Sequence, residues 1–349
     1  MTLVRIGARQ VGPGRPCFVI AEVGVNHDGS LDRALLLIEA AAEGGADAVK
    51  FQTFRAERIA TVDAPKAPYQ LAGTDPEESQ LDMLRRLELT PDAHRTLKAA
   101  AESHGLEFLS SMFDEESADL LAGLGVSAFK IPSGEITNLA LLAHVGLLGR
   151  PVILSTGMAD LGEVETALGE LEAAGNYRVV LLHCVSAYPA PVAEANLRAM
   201  ATMEAAFGVP VGFSDHTLGS EVALAAVALG ACMIEKHLTL DRSAPGPDHA
   251  ASLEPPAFGE LVRGIRAVES ALGDGQKLPA PSERATAAVA RKSLVAARDI
   301  AAGTVVTDEM VVLSRPGTGL PPGARDLIVG RVAAVDIARG TLLSAELVG

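Results

Sequence analysis

Short apolar runs recur along this chain, each ending in polar residues and followed by a stretch whose apolar positions fall at helical spacing. The first full example is LDRALLLIEAAAEGG followed by ADAVKFQ. Leu31, Ala34, Leu35, Ile38 and Ala42 share one helical face, Ser30 or Asp28 can cap its start, and Gly44 or Gly45 ends it. The same alternation gives CFVIAEVG, ADAVKFQ, LEFLSSM, AFKIPS, PVILSTG, VVLLHCVS, VGFSDHT and MIEKHLT as eight candidate strands. Their near-continuous apolarity is that of strands buried on both faces of a parallel sheet. Eight strands alternating with helices over residues 17 to about 275 predict a (β/α)8 TIM barrel, a fold of roughly 250 residues. A doubly wound open sheet is the runner-up, but no glycine-rich dinucleotide fingerprint follows the first strand.

Polar residues gather at the C-terminal ends of these runs, where barrel enzymes keep their chemistry. In chain order they are Glu22, Lys50 and Gln52, Ser110 and Ser111, then Lys130, Ser133 and Glu135. Ser155, His183 and Ser186, Asp215 and His216, and finally Glu235 and His237 follow. A long insertion from Thr53 to Thr90 follows the second strand, in the position of segments that shape or cover a site. Past the barrel (residues 1–275) the polar, proline-bearing residues 276–290 read as a linker. Residues 291–349 carry short β-rich runs and two near-repeats, ARDIAAGTVVTDEMV and AVDIARGTLLSAELV. They predict a small pseudo-symmetric domain near the lower limit for folding alone, leaning on the barrel or on a partner chain.

Charge and cysteine usage narrow the function. A net charge of −15 disfavours nucleic acid or an anionic membrane as partner, so basic groups collected at one point have a local purpose. Cys17, Cys184 and Cys232 lie in or beside apolar runs without CxxC spacing, as in a reduced cytoplasmic protein. No signal-peptide core and no membrane-spanning apolar run are evident.

The strand-end residues supply the chemistry. His216 and His237 end neighbouring strands, so two neutral imidazoles meet there and leave open positions for water and substrate oxygen, as a catalytic metal requires. The adjacent carboxylates Asp215 and Glu235 are placed to orient the imidazoles. Lys50 and Lys130 sit inside apolar runs, where an unpaired ammonium costs several kcal/mol that a bound phosphate or carboxylate would offset. Ser111, Ser133, Ser155 and Ser214 add neutral donors. Glu22 and Glu135 are the carboxylates placed for proton transfer, or else partners for a rim lysine. His27, His183 and Cys184 read as structural residues.

The motifs IAEVGVNHDG, VKFQTF, FKIPSGE, ILSTGM, HCVSAYPAP, GFSDHT, IEKHLTLD, GPDHAAS and SRPGTG resemble, in order and over nearly the whole chain, the sialic acid synthase family. That resemblance implies a TIM barrel followed by an antifreeze-like (SAF, β-clip) domain. It also implies condensation of phosphoenolpyruvate with an N-acetylmannosamine-type aldose and water, giving a 2-keto nonulosonic acid and phosphate. By the same resemblance, His216 and His237 hold a divalent metal: manganese, with magnesium or cobalt as alternatives. Lys50, Lys130, Ser111, Ser133, Ser155, Ser186 and Ser214 hold phosphoenolpyruvate, while Gln52, Tyr188 and Asp248 contact the sugar. Arg315 reaches the sugar's N-acetyl group in the partner's site of a domain-swapped homodimer. Two departures stand out: Ser186 replaces an asparagine common in the family, and Met112 replaces a proline.

N-acetylneuraminate is the first expected product and legionaminate, from a 2,4-diacetamido-6-deoxy sugar, the alternative. Synthases of 3-deoxy-octulosonate or deoxy-heptulosonate phosphates are nearby rivals, but they need a second basic cluster for a sugar phosphate. A non-catalytic carbohydrate-binding protein is the more distant one, and it has no need of His216, His237, Lys50, Lys130 and Glu135 together.

Overall fold

The computed structural model describes residues 3–349 as two units, one ending at Gly273 and one spanning Asp274–Gly349. The first opens with a hairpin of β1 (Val4–Ile6) and β2 (Arg9–Val11). Eight parallel strands then close a barrel: β3 (Phe18–Gly24), β4 (Ala48–Thr53), β5 (Glu107–Met112), β6 (Phe129–Ile131), β7 (Val152–Ser155), β8 (Val179–Cys184), β9 (Val211–Asp215) and β10 (Met233–His237). β10 pairs with β3, placing His237 opposite Glu22. Each predicted strand is present, and a helix follows each one, beginning with Leu31–Glu43 and ending with Pro255–Leu272. Ser30 rather than Asp28 caps the first helix, accepting from the Arg33 amide, and Gly44 ends it.

Strand alternation divides the apolar residues between two cores. Val19, Ala21, Val23, Val49, Phe51, Phe108 and Leu154 face the helices. Phe18, Ile20, Leu109, Ile153, Val180, Leu182 and Met233 fill the barrel interior. The hairpin contributes Val4, Ile6 and Val11 to that inner cluster, closing the N-terminal mouth. Toward the C-terminal end the same inward parity turns polar, and the site begins there.

The insertion after β4 folds into short helices Ala56–Ile59, Pro68–Gly73 and Gln80–Leu87. Met83 and Leu87 pack with Val25 and Phe54, and Leu84 and Phe113 flank this satellite core. Inside the insertion the buried Lys66 ammonium donates to Thr74 Oγ1 at 3.0 Å and to the Asp75 carbonyl at 2.8 Å. Gly73 accepts from the Gly246 amide at 2.8 Å, and a Cβ at Gly73 would lie 2.3 Å from the Gly246 carbonyl oxygen. That close approach ties the insertion to the loop after β10.

In the second unit, β11 (Ser293–Ala296) and β12 (Val311–Ser314) pair antiparallel beside a core that includes Leu294, Ile300, Val306, Ile337 and Leu343. The two near-repeats interlock. Ile300 and Ile337 exchange backbone hydrogen bonds, each at 2.8 Å. Asp299 accepts from the Arg339 amide and Asp336 from the Ala302 amide, both at 2.7 Å. Residues 276–290, expected as a linker, include a helix at Arg284–Ala290. Among the described residues no helix is long and apolar enough to cross a membrane.

Candidate active site

At the C-terminal end of the barrel, inward-facing side chains of all eight strands surround a cavity of about 390 Å³. Glu22, Lys50, Gln52, Ser111, Lys130, Ser155, Cys184, Ser214, Glu235 and His237 come from the strands themselves. His216, Ser133, Ser186, Tyr188 and Asp248 come from the segments that follow. Two candidates of the barrel, Glu135 and Asp215, do not line the cavity. The Glu135 carboxylate accepts from Asn138 Nδ2 at 2.8 Å, and burial raises its pKa. Its short 3-10 turn, Ser133–Glu135, breaks the strand parity that would have aimed it inward. Arg315 belongs to the second unit, where its Nε donates to the Ala290 carbonyl at 3.0 Å.

Both lysines have carboxylate partners within the protein, and of the two readings open for Glu22 the pairing with a lysine is the one the structure contains. Lys50 Nζ lies 2.8 Å from Glu22 Oε2 and 3.6 Å from Glu235 Oε1. Lys130 Nζ lies 3.9 Å from the same Glu235 oxygen. Each ammonium also holds a serine hydroxyl: Lys50 donates to Ser111 at 2.8 Å and Lys130 to Ser155 at 2.6 Å. Two carboxylates thus alternate with two ammonium groups, because like charges enclosed together repel strongly at low dielectric.

Their protonation is unequal. Burial pushes Glu22 up to about 8 against the pull of Lys50, with the Glu235 charge adding to the push. Burial acts on Glu235 too, but Lys130 and Lys50 outweigh it and hold the pKa below the usual carboxylate range. Burial lowers Lys130, while Glu22 and Glu235 overcome it at Lys50 and hold that ammonium charged. The surroundings therefore favour the protonated form at Glu22 and the ionised form at Glu235.

The imidazoles fit a metal. His216 Nδ1 donates to the Val185 carbonyl at 2.7 Å, which puts the lone pair on Nε2, 3.5 Å from Ser214 Oγ. His237 Nδ1 and Glu235 Oε2 are buried without a hydrogen-bond partner. Burial lowers His216 to about 4 and drives His237 well below its ordinary value, so both rings are neutral, as metal ligands must be. Their centroids are 5.4 Å apart, with the Tyr188 ring packed against both. Among the described residues no group of three or more His, Cys, Asp or Glu forms a closed metal cage.

The two adjacent carboxylates diverge from the orienting role expected of them. Glu235 faces the lysines, accepting from Ser214 at 3.1 Å, and Asp215 faces away from the cavity toward Lys236. Asp248 stands beside His237, with Oδ2 3.8 Å from His237 Nδ1, and burial pushes its pKa up to about 6.

Several lining residues had no sequence signal. Tyr69, Gln70, Gln80, Met83, Leu84 and Leu87 reach the cavity from the insertion, where only folding of the loop aims them. Gly157 packs so tightly that a Cβ there would lie 2.3 Å from Ser186 Oγ and 2.8 Å from Ser133 Oγ. Cys184, read as structural, lines the cavity with Sγ 3.2 Å from Ser133 Oγ. Glu235, named among the strand-end residues, does line the cavity, as two-residue strand periodicity puts it on the face of His237.

Comparison with known proteins agrees with this geometry. Residues 37–277 match the NeuB family and residues 291–348 the SAF domain. The chain is 45% identical over 345 residues to the N,N'-diacetyllegionaminic acid synthase of Legionella pneumophila, with 97% of each chain covered. It is 49% identical over 317 residues to the protein of the same name from Campylobacter jejuni, covering 90% of this chain and 95% of that one. A crystal structure of N-acetylneuraminic acid synthetase from Leptospira borgpetersenii superposes with a TM-score of 0.73 at 35% identity, covering 82% of this chain and 95% of the other.

Proposed function

The chain belongs to the NeuB family and is a sialic-acid-type synthase, and we propose that its sugar substrate is 2,4-diacetamido-2,4,6-trideoxymannose. The products are then N,N'-diacetyllegionaminic acid and phosphate, with phosphoenolpyruvate as the other substrate. This reverses the expectation that placed N-acetylneuraminate first. The two legionaminic acid synthases, each similar over nine-tenths or more of this chain, support the reversal.

One observation carries the choice. The apolar wall contributed by the insertion is Ile59, Ala67, Met83, Leu84 and Leu87, with Val25 and Phe113 beside it; the insertion's polar groups at the cavity are the amides Gln70 and Gln80 and the Tyr69 hydroxyl. A methyl at C6 and acetamido methyls suit such a wall, whereas a hydroxyl-rich or phosphorylated tail would meet few polar partners. The lysines among the lining residues are Lys50 and Lys130, both within the charge cluster on the strands. A distal phosphate therefore finds no basic cluster of its own.

In this reading, Lys50 and Lys130 hold the anionic groups of phosphoenolpyruvate, with Ser111, Ser133, Ser155, Ser186 and Ser214 as neutral donors. His216 and His237 hold a divalent cation, manganese in the first instance, which when bound supplies Lewis acidity toward the sugar's open-chain carbonyl oxygen. C3 of phosphoenolpyruvate bonds to the sugar's carbonyl carbon, and water adds its hydroxyl at C2. The C2–O bond to phosphate then breaks as the C2 hydroxyl gives up its proton and becomes the keto oxygen. Glu22, the carboxyl that burial drives toward the protonated form, serves as the acid–base group for the water and the new hydroxyl. Gln52, Tyr188 and Asp248 position the sugar, and Arg315 serves the site of the partner subunit in a homodimer.

The test is phosphate release from phosphoenolpyruvate with manganese, comparing the trideoxy sugar with N-acetylmannosamine, each with and without chelator. Faster chelator-sensitive release with the trideoxy sugar is the expected result. Faster release with N-acetylmannosamine would return the assignment to neuraminate, and release with neither would overturn the synthase reading.

A further inference from the structure

His216 directly follows β9 and His237 ends β10, and a buried polar link joins these two strands on the faces turned away from the cavity. Cross-strand register pairs Lys236 with Asp215, on the strand faces turned away from the cavity, and both side chains are fully buried. Lys236 Nζ donates to Asp215 Oδ2 at 2.8 Å and to the Thr217 carbonyl at 2.5 Å. Asp215 Oδ1 in turn accepts from the Thr217 amide at 2.9 Å and from its hydroxyl at 2.8 Å. The residues on either side of His216 are therefore gripped by one ammonium, and that ammonium belongs to the residue preceding His237.

We propose that Lys236 is a positioning residue that sets the separation of His216 and His237 for cation binding. Its clamp constrains the backbone of His216 from behind, while the Val185 carbonyl orients the ring from the side. The pair has a further consequence: an ion pair this deep contributes little net stability over apolar residues of like volume, so its value lies in geometry. The inference rests on the reading of His216 and His237 as metal ligands.

The test measures manganese affinity directly, by titration of metal-stripped protein without substrates, alongside thermal unfolding in chelator. Lys236→Met combined with Asp215→Asn removes the strand-to-strand link, leaves no buried charge unpaired and keeps the Asp215–Thr217 turn bonds available. Affinity should fall about 10- to 100-fold, the usual cost of losing a group that orients a metal ligand, and excess manganese should restore much of the turnover. Thr217→Val is a milder companion that deletes one hydroxyl bond and should weaken binding about threefold. Wild-type affinity in a folded double variant, or in Thr217→Val should the double variant not fold, overturns the proposal. The ligand reading fails separately: wild-type protein would bind no manganese, or His237→Ala would bind it as tightly as wild type.

Discussion

Lys50 Nζ lies 2.8 Å from Glu22 Oε2, with both side chains almost fully enclosed, and the same ammonium stands 3.6 Å from Glu235. Lys50 pulls on both carboxyls, and burial at Glu22 against the added charge of Lys130 at Glu235 is what separates them chemically. Glu22 is pushed toward the protonated form and Glu235 is held ionised between Lys50 and Lys130. Pairs of titrating groups driven apart by their surroundings are how an acid–base role is assigned within one pocket.

Glu22→Gln should lower kcat by about 100-fold or more, the scale of a lost general acid–base group. Glu135→Gln should stay near wild type, because Glu135 lies outside the cavity and is held by Asn138. Steady-state kinetics on the two variants decides between them, and equal losses would restore Glu135 as a participant.

Chelation, or His237→Ala, should eliminate manganese binding and phosphate release while leaving the circular dichroism spectrum unchanged. The His237 ring is buried in a neutral form with Nδ1 unpartnered, so its loss breaks no hydrogen bond made by that nitrogen. Undiminished turnover after exhaustive chelation would remove the metal from the reaction.

Leu84→Gln places an amide on the apolar wall. It should reduce the preference for the trideoxy sugar over N-acetylmannosamine by about 10-fold or more, the discrimination one apolar contact provides. The KM for phosphoenolpyruvate should hold, since Lys50 and Lys130 sit on the strands. An unchanged ratio of kcat/KM values would mean that this wall does not read the sugar.

Arg315→Ala should raise the KM for the sugar far more than the affinity for phosphoenolpyruvate falls. Equal losses in the two would count against its role toward the N-acetyl group.

His27 provides a pH signature independent of the reaction. Burial lowers its pKa from the ordinary 6.5 to about 4, so the unfolded chain takes up a proton that the folded protein refuses. That contribution is complete above about pH 6.5 and is lost as pH falls toward 4. Between those limits His27→Gln should flatten the decline in unfolding free energy by about 3 kcal/mol relative to wild type. Denaturant titrations at pH 7 and 4.5 measure it, and parallel declines would show that His27 is not titrating.

Much of this was legible in the chain. The apolar runs give eight strands because a parallel sheet buried on both faces demands near-continuous apolarity, and the polar residues ending them fall at the barrel's functional end. Lys50, Lys130, His216 and His237 stand out because charged or imidazole groups inside apolar runs need a reason. The near-repeats of the second unit show as reciprocal Asp299 and Asp336 contacts. The N-terminal hairpin went unread, since three-residue strands carry too little periodicity to register.

The sequence by itself determined the fold class and singled out His216, His237, Lys50 and Lys130 as strand-end residues, because each follows from local composition and two-residue periodicity. Only the tertiary structure decided their partners. It joined Lys50 to Glu22 and Glu235, sent Asp215 outward to Lys236, set Glu135 aside and brought the insertion's apolar residues over the cavity. These are contacts between segments distant in sequence, and barrel closure and loop folding, not local pattern, choose which side chains share a charge.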